Sequence, residues 1–135
     1  MYDRIVARAE DELLVFNRPP YSQGADQVNP VVLEMLARGV RARALYAEEQ
    51  WEAPGAKPFR QAMAVYHEAG VMGALTDELP IKLAVVDRKV ALLAMTDPVL
   101  PDIGFPTTLL VEHPGFAGIQ AEGFERLWEH AQPLA

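Results

Sequence analysis

Helical and strand-like hydrophobic patterns alternate along the first half of the chain. An apolar stripe at helical spacing covers residues 2–9, and the continuous apolar run at 13–16 is typical of a strand buried on both faces. Asn29-Pro30 has the pattern of a helix cap followed by a first turn, and Gly39 and Gly70 each end a helical pattern just before a strand pattern. The predicted elements are helices at 2–9, 30–38 and 59–69, a loop at 17–28, strands at 13–16 and 40–46, and a strand after Gly70. Strand–helix–strand units of this length favour parallel neighbours.

The second half changes character. Two apolar runs at 82–86 and 89–95 are separated only by Asp87-Arg88, which is too short for a crossover helix, so they predict an antiparallel hairpin. Residues 107–111 add a strand, and Pro114 begins a last helix with a wide apolar face. The expected fold class is α/β, with a mixed, largely parallel sheet flanked by helices and a single domain over residues 1–135.

The composition is typical of one globular domain, and it argues against nucleic acid and membranes as partners. Half of the 135 residues are hydrophobic and 23% are charged, as in ordinary soluble domains. The formal net charge of −7 repels nucleic-acid phosphates, so this chain alone is not expected to bind DNA. The longest apolar run covers only residues 90–95, and the N-terminus has no signal-peptide pattern. We therefore expect a cytoplasmic domain without a membrane partner.

The usual sequence signatures of catalytic and cofactor sites are missing. The chain has no cysteine, and its three histidines, His67, His113 and His130, lack metal-ligand spacing. Its single serine, Ser22, lies outside the G-x-S-x-G context of a nucleophile elbow. Neither glycine-rich nucleotide-binding motif occurs. No catalytic residue, metal ligand or cofactor is predicted.

One short motif has a possible chemical role. Lys82 and Asp87 bracket four apolar residues at the turn of the predicted hairpin. Taken alone, this Lys-x4-Asp spacing is unspecific, and it is equally explained by a lysine stem packed on the surface and an aspartate in a turn.

The hairpin from Pro80 to Leu93 resembles the H-x-K-x4-D hairpin of the phospholipase D superfamily. Pro80 stands at the position of the catalytic histidine, and proline offers neither a nucleophile nor a proton carrier. The Gly-Ser and Asn that usually follow this hairpin are replaced by Ala94-Met95 and Asp97. The resemblance implies a phospholipase D-like fold from which hydrolysis has been lost.

Further segments, in the same order, resemble the C-terminal sensor domain of TrmB-like bacterial regulators. The matching segments are 16–21 (FNRPPY), 29–30 (NP), 39–41 (GVR), 44–46 (ALY), 79–82 (LPIK) and 109–115 (LLVEHPG). In the actinobacterial type, this domain lies between winged and LuxR-type helix-turn-helix domains. The resemblance implies a cytoplasmic homodimer that senses a small-molecule effector. No helix-turn-helix is found in this chain, so DNA would be bound only through such a domain elsewhere.

The predicted ligand site lies where the strands end, because loops and helix N-termini meet at that edge of an α/β sheet. The predicted ligand-binding residues are Asn17, Arg18, Tyr46, Lys82, Thr96 and Asp97, of which the last three follow from the superfamily resemblance. Arg18 and Lys82 would pair with an anionic group, Asn17 and Asp97 would hydrogen-bond, and Tyr46, Tyr21 or Trp51 would stack.

Each of these residues also has a simpler interpretation. Arg18 is also explained as a solvated loop charge, Tyr46 as a partly buried strand end, and Lys82 as a surface ion-pair partner of Asp77 or Glu78. For the whole chain, the alternatives are a phospholipase D-type phosphodiesterase and a docking module with a vestigial pocket.

Overall fold

The computed structural model describes residues 1–18, 26–95 and 107–134. Its strands are β1 (Glu12–Asn17), β2 (Arg41–Ala47), β3 (Met72–Thr76), β4 (Lys82–Val86), β5 (Val90–Met95), β6 (Thr107–Val111) and β7 (Gln132–Pro133). Its helices are α1 (Tyr2–Ala7), α2 (Pro30–Ala37), α3 (Glu48–Trp51), α4 (Lys57–Glu68) and α5 (Pro114–His130). The strands form one sheet in the order β6-β5-β4-β1-β2-β3-β7.

The sheet is mixed, as expected, but its strand directions correct the prediction of a largely parallel sheet. β1, β2 and β3 are parallel neighbours, which confirms the two strand–helix–strand units. The predicted β4–β5 hairpin is also confirmed, and it pairs antiparallel with both β1 and β6. Since β7 adds a further antiparallel pair, antiparallel pairing predominates in the described sheet. A hairpin needs no crossover, so the chain reverses direction as soon as the second crossover unit is complete.

Helices cover both faces of the sheet. On one face, α5 packs Phe124 against Phe16 of β1, with ring centroids 5.7 Å apart. On the other face, α1 and α2 cover the middle of the sheet, and α4 packs Phe59 and Met63 on the end of β2. β1 lies between these two layers, which explains its uninterrupted apolar run. In the described part of the chain, no helix is both long and apolar enough to cross a membrane.

The helix boundary signals of the sequence are correct, and two short elements were not predicted. The Asn29 side chain accepts a hydrogen bond from the Val31 N–H at the start of α2. Gly39 adopts a φ of 92° just after α2, which is the left-handed conformation expected there. The first unpredicted element is α3, which is one helical turn between β2 and α4. The second is β7, whose two residues pair with β3.

Candidate ligand-binding site

Three of the predicted site residues lie on one row across the sheet. Asn17 of β1 is in register with Tyr46 of β2. Phe16 pairs with Leu83 in the antiparallel β1–β4 ladder, so the next position of that ladder brings Lys82 beside Asn17. Residues in register point to the same face of a sheet. The row therefore lies on the face covered by α4, at the carboxyl ends of β1 and β2.

Lys82 is a half-buried cation at the start of β4. Its register partner on β5 is Ala94, and the next residue of β4 on the same face, Ala84, is buried. Burial lowers the pKa of the Lys82 ammonium to about 8, because its charge has lost part of its hydration. The side chain is still largely protonated at pH 7, and an anion there would restore part of the lost stabilisation.

Arg18 links the end of β1 to the segment that precedes β4. Its Nη1 donates to the carbonyl oxygen of Leu79, the residue just before Pro80. This contact joins residues 61 positions apart and ties the end of β1 to the residue before Pro80. Pro80 itself is exposed and has no side-chain donor or acceptor.

Tyr46 is a core residue in this structure. Its side chain is 1% exposed, and its hydroxyl lies 2.9 Å from His67 Nε2. The rings of Trp51 and Phe59 lie 4.8 and 6.0 Å from the Tyr46 ring. Burial lowers the pKa of His67, which favours the neutral imidazole in this cluster. Tyr46 is therefore buried more completely than the partly buried strand end of the simpler interpretation, and its predicted stacking on a ligand is not supported.

Asn17 lies between this aromatic cluster and Lys82. Its amide nitrogen is 3.7 Å from the Met63 sulfur, a weak contact with α4. The other two predicted residues, Thr96 and Asp97, lie outside the described residues, as does Tyr21. Within the described ranges, no cluster of three or more histidine, aspartate or glutamate side chains could hold a metal ion.

Asp87, the second charged residue of the motif, lies at the opposite end of β4. Its carboxylate accepts hydrogen bonds from the N–H groups of Glu10, Asp11 and Glu12, at 2.8–3.0 Å. Burial raises the pKa of Asp87, but these hydrogen bonds, together with the Lys89 charge, outweigh it and leave the pKa below its usual value. With a rise of about 3.3 Å per residue, Asp87 lies about 16 Å from Lys82. Asp87 therefore fastens the start of β1 and has no contact with the site.

A separate open cleft of about 630 Å³ lies beyond β3. Its lining includes Thr76 at the end of β3, together with Glu48, Asp77, Glu78 and His130. No sequence pattern relates α3, β3 and the end of α5, so this cleft was not predicted. Its carboxylates give it the opposite electrostatic character from the Lys82 edge.

Comparison with known proteins identifies the fold. No family model and no curated protein matches this chain. TrmBL2, an archaeal chromatin protein described with a novel mode of DNA binding, superimposes with a TM-score of 0.77 at 15% identity, over 98% of this chain and 49% of that one. Nuc from Salmonella typhimurium, a phospholipase D family member, gives 0.69 at 12% identity, and NucT from Helicobacter pylori gives 0.72 at 12%. Both cover 98% of this chain and 87% of theirs.

These similarities confirm the expected phospholipase D-like fold, which TrmBL2 shares. The chain spans about half the length of the TrmBL2 chain.

Proposed function

We propose that this chain is the non-catalytic, ligand-sensing domain of a bacterial transcriptional regulator, and that its effector carries an anionic group. The observation that carries the proposal is that proline stands at position 80 and lysine at position 82 in a phospholipase D-like fold. The position that needs a nucleophile holds proline, whereas the neighbouring cation is kept. A site altered in this way retains the means to bind an anion and lacks the means to cleave it.

The described side chains support binding rather than catalysis. Lys82 supplies a half-buried positive charge beside Asn17, whose amide can orient a polar group, and Arg18 supplies a second cation just after β1. Two of the histidines have structural roles: His67 bonds to Tyr46, and the His113 ring nitrogen accepts from the Gly115 N–H at the start of α5. Neither imidazole is available as a substitute for the missing catalytic histidine.

The regulatory part of the proposal concerns the rest of the protein. DNA would be bound by a helix-turn-helix domain of the LuxR type outside this chain, since a net charge of −7 opposes direct contact with DNA. The likeness in fold to an archaeal chromatin protein supports this setting. An effector would act by binding two arrangements of a homodimer with different affinities.

Phosphate titration tests the binding site. Isothermal calorimetry at pH 7 with inorganic phosphate should show binding to the wild-type domain that is about tenfold weaker in Lys82→Met, the usual effect of losing one charge-assisted hydrogen bond. Lys89→Met is the matched control, because Lys89 is an exposed lysine at the far end of the hairpin. Equal binding by all three proteins, or binding by none, would remove Lys82 from the proposal and favour the docking module.

A phospholipase D-type phosphodiesterase is the second candidate, since Nuc and NucT share the fold over most of their length. Release of nitrophenol from bis(p-nitrophenyl) phosphate distinguishes the two functions. We expect no turnover above a buffer blank. Turnover that is lost in Lys82→Met and kept in Lys89→Met would establish the enzyme and overturn the sensor.

A further inference from the structure

The two edges of the sheet differ in how they are protected. β7 ends one edge with two residues, one of which is Pro133, and proline cannot donate a ladder hydrogen bond. β6 ends the other edge with five residues, Thr107–Val111, and contains no charged residue or proline. Natural edge strands usually carry such residues to prevent pairing with another chain. Thr107, Thr108 and Leu109 are exposed, and among the described residues no strand pairs with the outer side of β6.

An exposed apolar side chain lies on this edge strand. Leu109 is 46% exposed on β6, opposite Leu93 of β5.

The apolar side chains of α1 and of the second half of α5 pack within the chain. Ile5 is 7% exposed and packs in the core beneath α1 and α2. Phe124 is fully buried, and Trp128 stacks against it with ring centroids 5.7 Å apart. A dimer of this chain would thus need a different surface.

We propose that a second copy of this chain pairs antiparallel with β6 across a two-fold axis at Leu109. In that register, Leu109 faces its own copy, Thr108 faces Leu110, and Thr107 faces Val111. No charges are opposed, and β-branched and aliphatic pairs of this kind stabilise antiparallel strands. A chain with a net charge of −7 resists self-association elsewhere, and here it offers a neutral, self-complementary strip. The β6 edge would be the interface of the homodimer in the proposed function. This interface does not depend on the ligand site.

Sedimentation velocity over a concentration series tests the interface. The wild-type chain should dimerise, and Leu109→Lys should raise the dimer dissociation constant at least about tenfold, since it places two lysines opposite each other. Met72→Lys is the matched control: Met72 is 61% exposed on β3, next to the other edge strand. Circular dichroism and the melting temperature establish that both variants fold.

Hydrogen exchange gives a second measurement. Alternate amides of an edge strand point away from its partner, and those of β6 should gain protection as protein concentration rises. A chain that stays monomeric throughout, or a dimer equally sensitive to Leu109→Lys and Met72→Lys, would overturn the proposal. The phosphate affinity of Leu109→Lys should equal that of the wild type, so the failure of this interface is distinguishable from the failure of the ligand site.

Discussion

The two ends of strand β4 carry the two charged residues of one motif and put them to different uses. At the first end, Lys82 is half-buried in a row of site residues, and its pKa is lowered to about 8 by burial. At the other end, three backbone N–H groups donate hydrogen bonds to the Asp87 carboxylate, and these bonds outweigh the effect of burial and lower its pKa. Burial removes part of the hydration of the Lys82 charge, whereas three hydrogen bonds hold the Asp87 charge. An anionic ligand would stabilise the Lys82 ammonium, whereas the Asp87 carboxylate stabilises the fold.

This comparison separates the roles of the two charged residues in a hairpin that has proline at position 80. Pro80 lies at the Lys82 end of β4, whereas the Asp87 carboxylate accepts hydrogen bonds from the start of β1. The aspartate has a structural role, since it ties the β4–β5 turn to the start of β1. A Lys-x4-Asp pattern therefore indicates this hairpin in the fold and does not by itself indicate catalysis.

The largest expected effect is the loss of stability when Asp87 is neutralised. Asp87→Asn keeps one acceptor oxygen and tolerates the left-handed φ of 54° at this position. It should still lower the free energy of unfolding by about 2 kcal/mol, because charged hydrogen bonds to backbone N–H groups are lost. Arg88→Asn is the control in the same turn, with a φ of 55° and an ion pair to Glu12, and it should cost less than about 1 kcal/mol. Urea unfolding measures both, and equal losses would show that the turn conformation, not the carboxylate, matters.

The stability of the protein in acid should also depend on the Asp87 carboxylate. A carboxyl whose folded pKa lies below its unfolded value of about 3.9 contributes stability above that value and loses it as pH falls through the folded pKa. Wild-type stability should therefore fall more steeply than that of Asp87→Asn as pH drops below about 4. Thermal unfolding between neutral and acid pH measures this difference. Parallel curves for the two proteins would mean that the Asp87 pKa is the same in the folded and unfolded chain.

Much of the fold could be predicted from local patterns, but the long-range pairings could not. The Asn29 cap, the glycine helix stops and the Asp87-Arg88 turn are local signals, and each was found where expected. The antiparallel docking of β4 on β1 joins segments some 70 residues apart, which no periodicity encodes. α3 is too short to show a helical repeat.

The candidate site was predicted in part for the same reason. Register brings Asn17 and Lys82 together, as the strand-end argument and the resemblance predicted. The Arg18 contact with Leu79 depends on tertiary structure alone. Tyr46 was assigned to a ligand because it ends a strand, but α3 and α4 cover that end with aromatic rings.

The smallest expected effect is the pH dependence of anion binding at the Lys82 end. With a pKa near 8, the Lys82 ammonium loses its proton between pH 7 and pH 9. Sulfate binding, followed by calorimetry with a probe whose charge is constant, should weaken several-fold from pH 7 to pH 9. In Lys82→Met this dependence should be absent. A binding constant that stays flat to pH 9 in the wild type would show that the ammonium titrates at its ordinary pKa.

The most direct test follows the titration of Lys82 itself. The chain has only three lysines, so the side-chain carbon resonances of Lys57, Lys82 and Lys89 can be assigned in a lysine-labelled sample. We predict a midpoint near 8 for Lys82 that rises when sulfate is added, because the anion binds the protonated form. A Lys82 midpoint equal to that of the other lysines and unchanged by sulfate would contradict an anion site at this end of β4.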